Sequence, residues 1–368
     1  MTDLIIALDE LNDNPLFQMS LGSKELFHSN FLAWLFEQDN EFASKWFSSM
    51  NHLPDQLSLK ENNPIDREKG NTDLWLHFNE GDIIIENKVK SVPHKRQLDD
   101  YAKKNGSRYS YLLLSLTKPE FFNGDTYTII VDDEAVKWFQ ISYRDVASAI
   151  REHFTTNTSN EQYVNDYIDF IDKLDQLAQL LPVNKETDQY DFASGHTPID
   201  QGNINLRKYR LHDLYTKHKM NSFAEILRNE LSDNIKVDWG FSNGTGMVTA
   251  RKRIDGAEIG VQLQNNAFRL YTYWKDDKGR SKQLRDHLKA DDLWFNFEWT
   301  SIPHVADDIK GSGKNRQGNY NNYSDQFFYK YIKLYDKSVL DVLYYFNETF
   351  RNFEAQREQI TQIIDRIN

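Results

Sequence analysis

Cysteine is absent from the 368-residue chain. Disulfides, thiolate metal sites and cysteine nucleophiles are therefore excluded, and a reducing compartment is the expected setting. No stretch approaches the ~20 consecutive apolar residues of a membrane-spanning helix, so no membrane association is expected. Met1 to Glu10 lacks a basic leader followed by an apolar run, which reads as the start of a cytoplasmic protein without a signal peptide. Walker loops, Rossmann glycine patterns, His/Glu zinc motifs and Gly-x-Ser-x-Gly elbows are also missing, so no nucleotide-driven motor is encoded.

Positive charge is scarce in one half only. Residues 1–185 carry 18 Lys and Arg against 30 Asp and Glu, whereas the remainder carries 26 of each, for a net charge of -12. An acidic half is a poor non-specific binder of DNA, because phosphate attraction requires clustered Lys and Arg. Nucleic-acid contact would need local basic patches, a divalent cation or the neutral half. What the chain does have is core-forming material, with 39% hydrophobic and 14% aromatic residues, enough for two folded domains.

Periodicity organises the first half as mixed α and β. Lys24 to Phe36 has helical spacing, with Leu26, Phe27, Phe31, Trp34 and Leu35 recurring at turns of a helix. Asp73 to Phe78 and Ile83 to Val89 read as strands around the turn-rich Asn79-Glu-Gly-Asp82. Further strands are expected over Tyr109 to Leu116, Tyr127 to Val131 and Val136 to Ile141. Helices are expected over His94 to Lys104, Tyr143 to Phe154 and Glu161 to Leu181. This order predicts an α/β domain over residues 1–182, a linker over 183–204, and an α+β domain over 205–368. Within the last, Leu206 to Leu231 reads as helix, Val237 to Trp274 as a small antiparallel sheet, Asn315 to Ser324 as an exposed loop, and the chain from Asp325 onward as mostly helix.

The chemistry concentrates in the hairpin. Residues two apart on a strand share a face, so Glu86 and Lys88 are neighbours. A loop over Asn79 to Asp82 gives a register in which partner numbers sum to 161, placing Asp73 opposite Lys88 and Trp75 opposite Glu86. Any even loop length keeps all three charged residues on one face, while Leu74, Leu76, Phe78, Ile83 and Ile85 share the other. Two carboxylates held close together repel and are costly to bury unpaired. A divalent cation resolves that conflict, and Mg²⁺ favours oxygen donors. Glu-x-Lys by itself is a common surface ion pair; Asp73 on the same face changes the reading to a metal-dependent phosphodiesterase site.

Three segments carry a family resemblance. They are Asp73 with Glu86-Asn-Lys88 after 12 intervening residues, the helix Glu25-Leu-Phe-His-Ser-Asn-Phe-Leu-Ala-Trp-Leu-Phe36, and Gln97-Leu-Asp-Asp-Tyr101. Together they resemble the PD-(D/E)xK nuclease superfamily, in its bacterial branch with an H-S-x-F-L-x-W-L helix; Thr72 stands where that motif often has proline. The resemblance implies a restriction-endonuclease-like core, a mixed sheet flanked by helices, followed here by the smaller α+β domain. It implies that Asp73, Glu86 and Glu25 hold Mg²⁺ or Mn²⁺, that Lys88 assists catalysis, and that Gln97 lies near the lysine or the substrate phosphate. Nucleic acid is the implied partner, DNA ahead of RNA, with room for a homo-oligomer. A ribonuclease and a catalytically silent scaffold of the same fold are the rivals.

Other residues are weighed more plainly. Glu68 is a secondary acidic candidate, His28 reads as packed or capping, and His94-Lys-Arg96 is a short basic edge. In the second half, Arg251-Lys-Arg253 and Lys275 to Arg285 interleave with Tyr271, Tyr273 and Trp274. Such a set suits a nucleic-acid platform, although ordinary cross-strand pairing in a sheet is the preferred account.

Overall fold

The computed structural model describes residues 2–22, 24–89, 91–155, 160–192, 206, 209–242, 245–275, 277–291, 293–295, 321–334 and 336–368. Contacts divide the chain into two units, Met1–Pro182 with Ile204–His218, and Val183–Asn203 with Lys219–Asn368.

The first unit opens with four helices, α1 (Thr2–Asn12), α2 (Pro15–Ser20), α3 (Lys24–Gln38) and α4 (Asn40–Ser48). Proline at the first position of α2 and the Asn14 side chain, which accepts from the Leu16 and Phe17 amides, start the second helix. Strands β1 (Ile65–Arg67), β2 (Leu74–His77) and β3 (Asp82–Lys88) follow, then α5 (Lys95–Asn105), β4 (Ser110–Ser115), β5 (Thr126–Val131), β6 (Glu134–Ile141), α6 (Tyr143–His153) and α7 (Glu161–Gln179). The sheet order is β1-β2-β3-β4-β6-β5. Strands β3, β4 and β6 run parallel, and the others pair antiparallel. The parallel step from β3 to β4 requires a crossover, which α5 supplies. Strand β4 reads as an unbroken apolar run because both of its faces are covered. Thus the expected α/β core with a mixed sheet and flanking helices is what the chain forms.

Helix α7 shows why the layers hold. Val164, Tyr167, Phe170, Ile171, Leu174 and Leu177 recur at three- and four-residue spacing and are buried, so one stripe faces the core. Helices α1, α2 and α6 pack against it.

The second unit contains α8 (His212–Glu230), whose residues from Lys219 onward belong to it, then β7 (Lys236–Ser242), β8 (Thr245–Ile254), β9 (Ala257–Gln264), β10 (Ala267–Trp274), α9 (Lys278–Ala290), β11 (Asn321–Ser324), β12 (Phe327–Lys333) and α10 (Val339–Ile367). Its antiparallel sheet has the order β11-β12-β10-β9-β8-β7. The β8–β9 hairpin turns on Asp255 and Gly256, both at positive φ, the geometry a two-residue turn needs to match strand twist.

Three expectations are corrected here. Phe327 to Lys333 is strand, not helix, because its alternating aromatic and polar residues suit a sheet better than a helical stripe. Asn321 to Ser324 is a paired strand, while 315–320 lie outside the described residues. Residues 183–192 have the composition of a linker, yet they are tied into the second unit. The Tyr190 amide donates to the Lys337 carbonyl at 2.8 Å, and Lys219 pairs with Asp188 at 2.7 Å. The rest of the expected linker, residues 193–204, lies outside the described residues.

Candidate active site

The β2–β3 hairpin sets the site. Leu74 pairs with Ile85, Trp75 with Ile84, Leu76 with Ile83 and His77 with Asp82, so partner numbers sum to 159 rather than the expected 161. The loop is Phe78 to Gly81. Phe78 is drawn out of the hairpin by its bridge to Leu59, and the Asn79 amide donates to the Ser58 carbonyl at 2.9 Å. Extending the register by one residue brings Asp73 opposite Glu86, not Lys88, and Trp75 lies opposite Ile84, not Glu86. The slip is an even number, so facing is preserved and Asp73, Glu86 and Lys88 stay on one side.

That side is less polar than expected. Trp75 and Ile84 lie on it and are buried in a cluster with Leu98 and Ala102 of α5, Tyr111, Leu113 and Trp138. The charged residues therefore occupy one end of a face that is otherwise core. The opposite face is apolar as read, with Leu74, Leu76, Phe78, Ile83 and Ile85 all buried.

Glu86 is 2% exposed. Its Oε1 takes the Lys88 ammonium at 2.7 Å and the Gln97 side-chain amide at 3.0 Å. The same Gln97 nitrogen donates to the Tyr101 hydroxyl at 2.8 Å, so Gln97 and Tyr101, one turn apart on α5, brace the carboxylate. Glu86 Oε2 is buried and takes no hydrogen bond. Asp73 Oδ2 accepts the Asn87 amide at 2.7 Å. Glu25 reaches the cluster from α3, where its Oε1 accepts from the Ser91 hydroxyl at 3.3 Å. Asp73, Glu86, Lys88 and Gln97 are thus brought together, while Glu25 stands at the margin with its carboxylate on Ser91.

Charge and burial work against each other here. Burial pushes the Glu86 carboxyl up to about 7; the Lys88 charge opposes that shift and Asp73 reinforces it. Asp73 is also raised, chiefly by burial, with the Asn87 amide and Lys88 acting the other way. Burial disfavours the Lys88 ammonium, but Glu86 and Asp73 outweigh it and its pKa rises.

Asn87 is the residue that sequence reading passed over. It points to the face opposite Glu86, is 1% exposed, and its side chain joins three groups. Its Nδ2 donates to the Glu25 carbonyl at 2.9 Å and to Ser29 Oγ at 3.0 Å, and its Oδ1 accepts from the Tyr143 hydroxyl. One amide side chain therefore ties β3 to α3 and α6. A polar residue on the face that Ile83 and Ile85 otherwise make apolar was the available signal, since a buried amide must find partners.

Secondary candidates sort as follows. Glu68 holds a left-handed conformation at φ 53°, and its amide donates to the Asp73 carbonyl at 2.9 Å; its charge helps to raise Asp73. His28 is buried, with Nδ1 3.1 Å from the Tyr167 hydroxyl and its ring against Tyr143 and Phe170, a packed role as expected. The basic edge is engaged by its own helix, Lys95 with Asp99 at 3.4 Å and Arg96 with Asp100 at 3.6 Å.

The fit to a cation rests on the donor set. Among the described residues no three Asp, Glu or His side chains converge into a ready-made cage, so the three-carboxylate set of Asp73, Glu86 and Glu25 is not assembled as implied. A buried acid, Glu86, and a half-buried one, Asp73, do adjoin, the first with an oxygen that takes no hydrogen bond, and hard oxygens in that number suit Mg²⁺, which retains several waters.

Residues 13–169 match the model of the PD-(D/E)XK nuclease superfamily. That span includes the whole sheet of the first unit and every candidate site residue, so the similarity to that superfamily falls on the part of the chain that carries the site. No curated protein and no solved structure matches the chain significantly. Among the described residues no helix is long and apolar enough to cross a membrane.

Proposed function

We propose that the chain is a nuclease that hydrolyses phosphodiester bonds of DNA with Mg²⁺ or Mn²⁺. The carrying observation is the buried Glu86 carboxylate beside Asp73, with one oxygen bonded to Lys88 and Gln97 and the other unengaged. Holding a buried and a half-buried acid together with one lysine leaves a net negative charge that disfavours the fold and that a cation offsets. Asp73 and Glu86 are the residues to hold the cation, with Glu25 as an outlying acid. When bound, the cation supplies Lewis acidity, lowering the pKa of water and offsetting charge on a phosphoryl oxygen.

Lys88 keeps its ammonium against Glu86, where it can orient the attacking water and neutralise negative charge that grows on the phosphate. Gln97 and Tyr101 are positioning residues, since they hold Glu86 in one rotamer. The acidic first half keeps duplex from binding without the cation. Digestion of single- and double-stranded DNA and RNA with Mn²⁺, by wild type, Lys88→Ala and Glu86→Ala, tests the reading. Cleavage lost in both variants supports it; cleavage that survives Lys88→Ala removes this site from the reaction.

The silent scaffold keeps one observation in its favour. Lys88 already neutralises Glu86, as a structural ion pair would. Titration calorimetry with Mn²⁺ separates the two: heat that vanishes in Glu86→Ala supports the nuclease, and no heat in wild type supports the scaffold. RNA cut in preference to DNA would move the substrate to the ribonuclease reading.

A further inference from the structure

Much of the basic set picked out in the second half is already paired with acids. Arg251 pairs with Asp238 and, at 3.1 Å, with Glu258; Arg253 pairs with Glu258 at 3.2 Å; Lys252 pairs with Glu354. Lys278 and Arg280 pair with Asp325 and Asp277. Those cations are neutralised within the fold.

The same sheet holds two cations that are not. Alternation along β10 sends Phe268, Leu270 and Trp274 to the side on which α9 and α10 pack, and Arg269 and Tyr271 to the other. Arg269 lies across from Tyr331 of β12 and Gln262 of β9, and the register gives Lys333, Tyr331, Tyr329 and Phe327 the same facing. Arg269 Nη1 donates to Gln262 at 2.6 Å and to Gln264 at 2.7 Å, and its guanidinium sits 5.0 Å from the Tyr329 ring centroid. Lys333 donates to Asn266 at 2.7 Å and lies 6.0 Å from the Tyr331 ring centroid. No carboxylate among the described residues pairs with either cation. Their neighbours are amides and rings, and Lys333 is disfavoured by its own burial and by Arg269.

Two like charges, partly buried and held by neutral groups, are an unfavourable arrangement that an anion relieves. The rings add a second requirement. Phe327, Tyr329 and Tyr331 follow one another along β12 at centroid separations of 6.0 and 6.2 Å, each partly exposed. A row of rings beside cations fits a chain with regularly repeated anions and flat apolar groups between them. Unpaired bases have free faces for such rings, whereas paired bases in a duplex are already stacked.

We infer that this face of the second unit binds single-stranded nucleic acid, with Arg269 and Lys333 on phosphates and Tyr329 and Tyr331 against bases. The site is separate from phosphodiester hydrolysis and does not depend on it. The test is fluorescence anisotropy with the full chain, a short labelled oligothymidylate and EDTA, so that cleavage plays no part. Lys333→Gln and Arg269→Gln are expected to weaken binding about fivefold or more and to lower the slope of log affinity against log salt by about 0.7 each. Tyr331→Ala is expected to weaken binding about fivefold or more with the slope unchanged. Arg269 braces two glutamines, so Lys333→Gln and Tyr331→Ala, checked by thermal melting, carry the test if Arg269→Gln does not fold. No binding by wild type, or wild-type affinity in both Lys333→Gln and Tyr331→Ala, overturns the inference. So does a duplex of equal length held as tightly as the single strand. Displacement of the oligonucleotide by an equal charge of polyglutamate also overturns it and reassigns the face to an acidic protein.

Discussion

The two sheets of this protein place charge in the same position with opposite sign. In the first unit one end of a buried face gathers Asp73 and Glu86 around Lys88. In the second, a face gathers Arg269 and Lys333, which no carboxylate among the described residues pairs with. Neither arrangement is explained by fold stability alone, because partly buried like charges cost free energy. The comparison teaches that unrelieved burial, and not net charge or basic runs, marks where a ligand is to be sought. Arg251 and Arg253 make the same point from the other side, since they are prominent in the sequence and already ion-paired in the fold.

Changes at the acidic end should have the largest effect. Glu86→Ala and Lys88→Ala are each expected to lower Mn²⁺-dependent cleavage by about 10³-fold, the scale of losing one preorganised charge at a reacting centre. A time course of plasmid nicking measures this. Losses under tenfold would mean that the buried cluster is structural, and the comparison would fail.

Next comes the support behind the cluster. Asn87→Ala removes one amide that serves Glu25, Ser29 and Tyr143, and leaves buried groups unpaired. Urea denaturation is expected to show a loss of about 3–4 kcal/mol. A loss under about 1 kcal/mol would show that α3 and β3 hold together without it.

The pH dependence of the metal-free protein sharpens the claim that Glu86 is held at a cost. Its folded pKa of about 7 exceeds the ordinary 4.5, so the folded state binds the proton more tightly. The contribution of Glu86 to stability is therefore most favourable below 4.5, falls as pH rises towards 7, and does not change further above. Glu86→Gln lacks this titration. In EDTA it should be more stable than wild type at pH 8 by at most about 3 kcal/mol, with the gap closing towards pH 4. A gap that stays constant with pH would mean that Glu86 does not titrate in this window.

The smallest expected effect tests the paired cations of the second unit. Arg253→Gln should leave oligonucleotide binding within about twofold of wild type, because exposed ion-paired arginines contribute little. A loss as large as that in Lys333→Gln would extend the platform to that edge and blunt the contrast drawn above.

Much of the first unit was legible because its signals are local. Period-two alternation marked β2 and β3, and an even loop kept Asp73, Glu86 and Lys88 on one side whichever register held. Helix α5 carries Gln97 and Tyr101 at i and i+4, which is enough to place both on one stripe. The register itself was not legible. It depends on Phe78 bridging Leu59, a pairing made across residues distant in sequence. The short helix α4 escaped notice, although Asp39 caps it, because its apolar stripe is only a few residues long. In the second unit β12 was missed, since alternating aromatics and lysines next to a long helix look like its first turns.

The chain alone determined which residues share a face, because strand and helix periods are properties of the backbone and survive any packing. It thereby set the α/β order, the acid pair with its lysine, and the lack of thiol chemistry. Tertiary structure decided which charges are relieved. Whether an arginine meets a carboxylate or a tyrosine, and whether a glutamate keeps an unengaged oxygen, depends on partners brought from other strands and helices. Burial, a property of the assembled fold, decides what each unmet charge costs.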